Sequence, residues 1–260
     1  MADIDQGMSP ERRREQILAH LSAHDRSSVG ELSQVLGVSE VTVRKDLDVL
    51  ESHGVLTRVH GGAVVSGRGR LDLYFGAREQ ERLEEKRRIA QAAAALIQSG
   101  QRIFLDASTT ALQVARLIKD REDLIVVTNG LFTALELNFS AGVTTIVVGG
   151  TLRRRSSSLV GSLNANSLQR LRVDIALVGA RGLTARDGLM EIDIDEAQLK
   201  QQLVSTARLV IGIVDSSKFG AMAFSAFALP HEIDRIITDD GAPESMVRDL
   251  RERGIIVDLV

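Results

Sequence analysis

Short apolar runs alternate with helical segments over residues 79–260, and this alternation restricts the fold more than any other feature of the chain. Uniformly apolar runs of this length, rich in β-branched residues, are typical of parallel strands buried on both faces. The helical segments between them suit the crossover connections of a parallel sheet. The pattern predicts a doubly wound α/β domain with a mostly parallel sheet. The expected strands are Ile103–Leu105, Leu124–Val127, Thr145–Val148, Ile175–Val178, Leu209–Val214 and Ile236–Ile237.

Helices are expected between these strands, and a long helix is expected before the first of them. This long helix runs from Glu79 to Gln98, charged in its first half and alanine-rich in its second, and it ends at Gly100. The other expected helices are Ala111–Ile118, Leu131–Phe139, Leu163–Leu171, Glu196–Ala207 and Pro243–Arg253.

A loop of small, hydroxyl-bearing, amide or glycine residues follows each of the first five expected strands. Open α/β sheets bind ligands at the carboxyl ends of their strands, so these loops should line one crevice. The amides of the helix that follows Ser108 favour an anion, and Lys218 can add a positive charge for a phosphate. Carboxylate and amide side chains suit hydroxyl groups, so the sequence predicts a site for a phosphorylated sugar or polyol. The residues expected to bind this phosphorylated ligand, called the effector below, are Asp106, Ser108, Thr109, Thr110, Thr128, Asn129, Gly149, Gly150, Asp215 and Lys218.

Each loop also has a purely structural interpretation, because Asp, Asn, Ser, Thr and Gly are common turn and cap residues. The expectation of a pocket rests on five such loops in succession, and the role of any single residue stays open between ligand binding and turn formation. The basic run Arg153–Arg155 is equally open. Its three arginines could contact a phosphate, a neighbouring subunit or only water.

The first 65 residues show a different pattern, in which helical periodicity gives way to a short strand pattern. Val43, Leu47 and Leu50 fall at i, i+4 and i+7, so they form one apolar stripe of a helix. Ser39 is a suitable N-cap for this helix, and Gly54 is a suitable C-terminal stop. One face of the helix should therefore pack on a core while the opposite face is exposed.

A shorter helix should precede it, because Ser28 and Glu31 have capping-box spacing and Gly37 can end the helix. Two helices joined by a glycine-containing turn form a helix-turn-helix, here at about residues 27–46. A first helix from Glu11 to about His24 should precede these two helices, and a β-wing should follow them. The sequence therefore predicts a winged helix-turn-helix domain over residues 10–65.

In such a domain the second helix of the helix-turn-helix enters the major groove of DNA with its N-terminal part, and the wing rests on the DNA backbone. The expected contacts on the helix are Ser39, Thr42, Arg44 and Lys45, and those on the wing are Arg58 and His60. The alternative is a solvated amphipathic helix followed by an ordinary hairpin. The order of the parts, with three helices and then a wing, favours binding to a double-stranded DNA operator.

Length and composition fit two domains, residues 10–65 and 79–260, joined by a glycine- and arginine-containing linker at residues 66–78. With no cysteine, no signal-peptide pattern and no long apolar run, we expect a cytoplasmic protein that does not contact membranes. No metal-ligand spacing or complete dinucleotide-binding motif occurs, so no metal and no cofactor is expected. The net charge of −3 argues against indiscriminate coating of nucleic acid.

The N-terminal motifs resemble the winged helix-turn-helix of the DeoR family of bacterial transcriptional regulators, and the later motifs resemble the effector domain of that family in the same order. The N-terminal matches are Glu31–Leu32, Val38–Ser39, Thr42–Leu47, Leu50, Gly54 and Arg58–Ala63. The later matches are Glu85–Lys86, Asp106–Thr110, Thr128–Asn129, Gly149–Gly150, Gly161, Asp174, Gly188, Glu196–Ala197, Lys200, Asp215–Phe219 and Thr238–Asp239.

The resemblance implies an effector domain similar in fold to ribose-phosphate isomerases and CoA transferases, which binds a phosphorylated sugar or polyol and then releases DNA. Two departures from the family pattern bear on the effector. Ser108 stands where the family usually has glycine, and residues 189–195 are unusually acidic for a loop near an anion.

The main rival function is a sugar-phosphate isomerase or deaminase that uses Asp106, Glu191 or Asp215 as a base in the same crevice. A second rival is an adaptor whose winged helix docks a protein. We expect neither, and no catalytic residue is predicted. The expectation is a sequence-specific transcriptional regulator, a repressor of a carbohydrate or polyol operon, that works as at least a homodimer because winged helices read separated half-sites.

Overall fold

The computed structural model describes residues 10–24, 26–52, 56–59, 61–65, 75–154, 156–161, 168 and 170–260. The chain forms two compact units, Met1–Arg78 and Glu79–Val260. Most of the expected linker, residues 66–74, lies outside the described part, whereas residues 75–80 are helical. Among the described helices, none combines the length and apolarity needed to cross a membrane.

Capping residues define the helices of the first unit where the sequence predicts them. Ser28 and Glu31 form a capping box, and Gly37 follows the helix with a φ of 65°. Ser39 Oγ accepts a hydrogen bond from the backbone N–H of Thr42 at 3.2 Å, as an N-cap does. The elements are α1 (Pro10–His24), β1 (Arg26–Ser28), α2 (Val29–Leu36), α3 (Glu40–Ser52), β2 (Leu56–Val59) and β3 (Gly62–Val65).

The core of the first unit lies between the apolar faces of its helices. Val43, Leu47 and Leu50, the stripe predicted for α3, are buried together with Ile17 and Leu21 of α1. The predicted packing of the apolar stripe of α3 on a core is therefore confirmed.

A three-stranded antiparallel sheet in the order β1-β3-β2 completes the first unit. Strand β1 has only three residues, and the sequence pattern does not indicate it. Gly62 allows β3 to approach it, since a Cβ at this position would lie 2.3 Å from the carbonyl oxygen of Ser27. Two residues named from the sequence, Gly54 and His60, lie outside the described residues.

The second unit is built on seven parallel strands. Its elements are α4 (Leu83–Ala95), β4 (Arg102–Leu105), α5 (Thr109–Ile118), β5 (Leu124–Thr128), α6 (Leu131–Leu137), β6 (Val143–Val147), β7 (Thr151–Arg153), β8 (Ser158–Val160), β9 (Val173–Val178), β10 (Gly182–Thr184), β11 (Gly188–Glu191), α7 (Ile194–Val204), β12 (Ala207–Ile213), β13 (Ser225–Ala228), β14 (Arg235–Thr238), α8 (Glu244–Glu252) and β15 (Ile256–Leu259). The sheet order is β15-β14-β12-β9-β4-β5-β6, with every neighbouring pair parallel.

The chain starts this sheet in the middle, at β4. It adds β5 and β6 on one side and then crosses to add β9, β12, β14 and β15 on the other. Two apolar cores result, one with α4 and α5 and the other with α7 and α8. The doubly wound fold predicted from the sequence is confirmed, and its direction of winding reverses between β4 and β9, where open α/β sheets form a ligand crevice.

The expected helix from Glu79 to Gln98 is wrong in one respect, because the chain turns at residues 81 and 82 before α4 begins. Arg82 has a left-handed φ of 52°. Its guanidinium donates to Ser216 Oγ at 2.8 Å, so a tertiary contact accompanies the break. The expected helix Leu163–Leu171 lies mostly outside the described residues.

Several short strands were not predicted. The strands β10, β11 and β13 form a small antiparallel sheet, β7 and β8 form a hairpin, and β15 extends the main sheet. The small sheet changes the interpretation of the acidic segment at residues 189–195. Its first part is strand β11, and Asp193 is the N-cap of α7, with its side chain accepting from the N–H of Glu196. The segment is therefore not an acidic loop.

Candidate functional site

The predicted DNA contacts on α3 and β2 include two arginines that have internal partners. Arg44 pairs with Glu40 at 2.7 Å on the helix surface. Arg58, from β2, pairs with Asp48 and also donates to the carbonyl oxygen of Arg44 at 3.3 Å. The Arg58 side chain therefore lies against α3 and joins the wing to the helix.

Lys45 differs from both arginines. Its side chain is exposed, and it has no ion-pair partner within the described part of the chain. Ser39 and Thr42 share a hydrogen bond of 2.9 Å between their hydroxyl groups at the start of α3. Lys45 is thus the cation on this face whose charge remains fully available to a phosphate or a base edge.

Asp106, the residue that follows β4, is fully buried at the point where the winding of the sheet reverses. Its Oδ1 accepts from the N–H of Ser108 at 3.0 Å and its Oδ2 from the N–H of Gly179 at 2.9 Å. The ammonium of Lys200, from α7, lies 2.7 Å from Asp106 Oδ2 and 2.6 Å from Glu191 Oε1. Lys200 also donates to the carbonyl oxygen of Gly179 at 3.0 Å. One buried cation therefore fixes the two central strand ends and β11 to each other.

Burial by itself lowers the pKa of Lys200, but the carboxylates around it outweigh this effect and raise the pKa above its ordinary value. Lys200 is therefore charged at neutral pH. Burial raises the pKa of the neighbouring Glu196 above its ordinary value, while the charge of Lys200 opposes that shift. Glu196 pairs with Arg153, which also binds Asp193 at 2.9 Å. Arg153, one of the three basic residues left open by the sequence, thus has internal acidic partners.

The first turn of α5 presents two free donors beside this network. Ser108 Oγ accepts from the N–H of Ala111 at 3.1 Å and caps the helix. In the described part of the chain, the N–H groups of Thr109 and Thr110 have no hydrogen-bond partner. Both threonines are buried, so few waters can reach these amides. Free N–H groups at the positive end of a helix dipole form a binding site for an anion.

Ser108, the departure from the family pattern, does not occupy this anion position with its side chain, which is turned to cap α5. Room for it comes from Gly179, because a Cβ on Gly179 would lie 2.5 Å from the Ser108 Cβ. A serine at 108 and a glycine at 179 are therefore sterically linked.

The loop after β5 lies next to the Asp106–Ser108 turn. A Cβ on Gly130 would lie 3.0 Å from Ala107 Cα, so the two loops are in close contact. Asn129 is fully buried and donates from Nδ2 to the carbonyl oxygen of Leu159 at 3.3 Å. Thr128 Oγ1 accepts from the N–H of Gly130 at 3.0 Å, which makes Thr128 a turn-forming residue here.

Gly149 and Gly150 allow the β7–β8 hairpin to fold back over the end of β5. Gly149 has a φ of 116°, and a Cβ there would lie 2.7 Å from the Leu159 backbone. Gly150 donates from its N–H to Val160 O at 2.9 Å. Their observed contacts are therefore with the chain itself.

Asp215 and Lys218 belong to a second cluster at the ends of β12 and β14. Asp215 accepts hydrogen bonds from the N–H and hydroxyl groups of Ser217. The Lys218 ammonium lies 3.8 Å from Asp215 and 29% of its side chain is exposed, so it can still reach a ligand. Arg82 Nε lies 3.8 Å from Asp215. The structure therefore brings Asp106, Ser108, Thr109, Thr110 and Asn129 together and places Asp215 with Arg82.

Lys200 and Glu196 are matched only by the family resemblance, and neither is among the site residues predicted from the sequence. The available signal was weak: Glu196 and Lys200 are four residues apart, so they lie on one face of a helix. A pair of this kind is usually exposed, and only the tertiary structure shows that this face is buried.

Comparison with known proteins identifies the class. Residues 13–68 match the model of the DeoR-like helix-turn-helix domain, and residues 81–240 match that of the DeoR C terminal sensor domain. The chain belongs to the DeoR family of transcriptional regulators.

Among its relatives, the transcriptional regulator GlpR of Haloferax volcanii is 38% identical over 96% of this chain and 98% of that protein. The glycerol-3-phosphate regulon repressor of Escherichia coli is 29% identical over 97% of this chain and 100% of that protein. Among solved structures, ribose 5-phosphate isomerase A from Methanocaldococcus jannaschii has a TM-score of 0.37 and 20% identity, covering 52% of this chain and 53% of that one.

Proposed function

We propose that this chain represses a carbohydrate or polyol operon and leaves its operator when a phosphorylated sugar or polyol binds at the carboxyl edge of the sheet. The observation that carries the proposal is the pair of free N–H groups of Thr109 and Thr110 beside a buried, fully paired Lys200. The nearby carboxylates are already neutralised, so a phosphate placed on these amides meets little repulsion.

The polyol part of the effector would extend from the phosphate over the neighbouring loop. Asn129 supplies a buried amide next to the Asp106–Ser108 turn, and Lys218 has a partly exposed charge in the second cluster. The names of relatives fit this class of ligand, because one of them is the repressor of a glycerol-3-phosphate regulon.

The contacts of the carboxylates favour binding over catalysis. Asp106 has a hydrogen-bond donor on each oxygen, and Glu191 is paired with Lys200. A general base needs a free lone pair directed at the substrate proton. We infer that these groups position the loops and that the protein is not an enzyme. As an operator-binding protein it would work where the chromosome is, in the cytoplasm.

On the DNA side, Lys45 is the proposed principal contact, with Ser39, Thr42 and Arg44 beside it on α3 and Arg58 behind it. Lys45 is exposed and unpaired within the described chain, whereas Arg44 and Arg58 must first exchange their carboxylate partners for phosphate. Exposed pairs of this kind are weak, so the exchange costs little.

A homo-oligomer, at least a dimer, is proposed because half-sites on an operator are read by symmetric subunits. The second unit has an uncovered apolar region that suits such an assembly. Phe139 is 92% exposed just after α6, Leu135 is 57% exposed on α6, and the edge strand β6 exposes Val147. Apolar side chains and an open strand edge in one region are features of protein interfaces.

The test is a fluorescence-anisotropy titration of the full-length protein on DNA from upstream of its own gene. Inorganic phosphate, glycerol 3-phosphate, glucose 6-phosphate, fructose 1-phosphate and sorbitol 6-phosphate are then added in turn. The proposal expects specific binding and release by at least one of the four organic phosphates at concentrations where inorganic phosphate has no effect. A complex that none of them dissociates would contradict the proposed effector class, and absence of a complex would contradict the proposed operator.

A further inference from the structure

Two fully buried residues near the candidate anion position carry polar atoms that have no hydrogen-bond partner among the described residues. Asn129 Oδ1 is one of these atoms and Ser157 Oγ is the other. A buried polar atom left unpaired is costly, so such atoms are uncommon in folded proteins and call for an explanation.

The two residues lie on paired segments of chain. The N–H of Leu131 donates to Ser157 O at 2.9 Å, and the N–H of Leu159 donates to Asn129 O at 2.7 Å. Gly130 and Ser158 form the antiparallel bridge between these bonds. The turn that precedes β8 is therefore fixed directly across the loop that follows β5.

The direction of the Asn129 amide is set by its environment. Its Nδ2 donates to the carbonyl oxygen of Leu159 at 3.3 Å. A flipped amide would place two oxygens against each other, so Oδ1 must point away from Leu159. The unpaired atom of Asn129 is therefore an acceptor that needs a donor from outside the described chain.

Ser157 has a backbone conformation that glycine adopts more easily. Its φ is 52°, in the left-handed region that a side chain disfavours. Neighbouring Ser158 donates to Glu196 at 3.3 Å, which anchors the turn to the buried network. The chain thus keeps a hydroxyl group at a strained position, a feature that clusters at binding sites.

We propose that Ser157 Oγ and Asn129 Oδ1 form a subsite for the hydroxyl groups of the effector, and that Ser157 determines which polyol or sugar phosphate is accepted. This rests on the proposed function and assigns a residue that the strand-end loops did not indicate. The ligand class is a carbon chain with phosphate at one end and hydroxyl groups on the carbons nearest to it. A ligand hydroxyl donates to Asn129, and a second one pairs with Ser157. Both atoms are enclosed, so the ligand binds only with a local movement of the chain around them.

The experiment measures affinities of full-length wild type and variants for inorganic phosphate and for glycerol 3-phosphate, glucose 6-phosphate, fructose 1-phosphate and sorbitol 6-phosphate by calorimetric titration. The quantity of interest is the ratio of the affinity for the best organic phosphate to that for inorganic phosphate. Ser157→Ala removes the hydroxyl and keeps the strain, whereas Ser157→Gly removes both. Thr145→Val is the matched control, because Thr145 Oγ1 is also buried and unpaired but lies inside strand β6.

Both Ser157 variants should lower this ratio by about 3- to 10-fold, the value of one hydrogen bond, and Thr145→Val should leave it unchanged. Ser157→Gly should also raise the melting temperature, so its loss of selectivity cannot be a loss of folding. Asn129→Ala should lower the ratio by a similar factor.

An unchanged ratio in both Ser157 variants would overturn the subsite while leaving the proposed function intact. A wild type that binds no organic phosphate better than inorganic phosphate would overturn both.

Discussion

The ion pairs beside the predicted DNA contacts and those beside the candidate anion position differ in burial. In the first unit the pairs of Arg44 and Arg58 lie at the surface of α3, where solvent screens them and each contributes little. In the second unit Lys200 is 1% exposed in its side chain and pairs with two buried carboxylates, so removing one partner leaves charges without compensation. Surface pairs can be exchanged for DNA phosphates, whereas the buried network is a fixed part of the sensor.

Lys200→Met gives the strongest test of this contrast. It leaves Asp106 and Glu191 buried without their cation, and should lower the free energy of unfolding of the second unit by about 3–5 kcal/mol. Lys218→Met, which removes a half-buried lysine 3.8 Å from its carboxylate, is the control and should cost less than about 1 kcal/mol. Urea denaturation followed by circular dichroism measures both. Equal losses in the two variants would contradict the structural role of the buried network.

Thr109→Pro tests the free amides of α5. Proline is tolerated at the first helical position, and Ser108, with φ −76° and ψ 153°, already has the conformation required before proline. The variant should keep its stability and lose about 1.5–3 kcal/mol of binding free energy for the organic phosphate that releases DNA. Thr109→Ala retains the N–H and is the matched control. If the proline variant binds as tightly as the alanine variant, the phosphate is held elsewhere.

Lys45→Ala tests the exposed cation of α3 that has no ion-pair partner among the described residues. If Lys45 contacts a base, the free energy of operator binding should weaken by about 1–3 kcal/mol. If it contacts a phosphate, the slope of log affinity against log salt concentration should become shallower by about 1. Lys119→Ala, which removes a lysine paired with Glu136 at 3.2 Å in the second unit, is the control. Anisotropy titrations at several salt concentrations measure affinity and slope together. A variant with unchanged affinity and slope would remove Lys45 from the interface.

Asp48→Asn should have the smallest effect and the opposite sign. It releases Arg58 from an exposed pair, so stability should change by less than about 1 kcal/mol. If Arg58 then contacts a phosphate, operator affinity rises, and the slope of log affinity against log salt concentration becomes steeper by about 1. The same titrations apply. Unchanged binding would mean that Arg58 only holds the wing against α3.

The sequence was sufficient for the features that depend on local pattern. The apolar stripe of α3, the capping box at Ser28 and the apolar strands of the main sheet are local properties, and each is confirmed. The burial expected for these strands is wrong for β6, because this edge strand exposes Ile146 and Val147. The missed elements, such as β1 and the β7–β8 hairpin, are short and depend on pairing with distant segments. The break at Arg82 could not be predicted because its partner, Ser216, lies 134 residues further along the chain.

In the candidate site too, local patterns indicate some residues and only the tertiary structure reveals others. The turn Asp106–Thr110 could be located because it follows a strand and begins a helix. The burial of Lys200 could not be predicted, because an acid and a lysine four residues apart usually lie on an exposed helix face. Ser157 was missed because unpaired atoms are visible only once the neighbouring segments are in place. The DNA contacts and effector contacts named from the sequence remain predictions.

The bond between Asp106 and Gly179 joins residues 73 positions apart, and this separation affects how the protein is made. Contacts between distant residues form slowly, because a long loop must close before any of them is gained. The contacts that define the first unit all join residues before position 79. During synthesis, therefore, the part that reads DNA can be complete on the ribosome while the sensor still lacks the strand that closes its crevice.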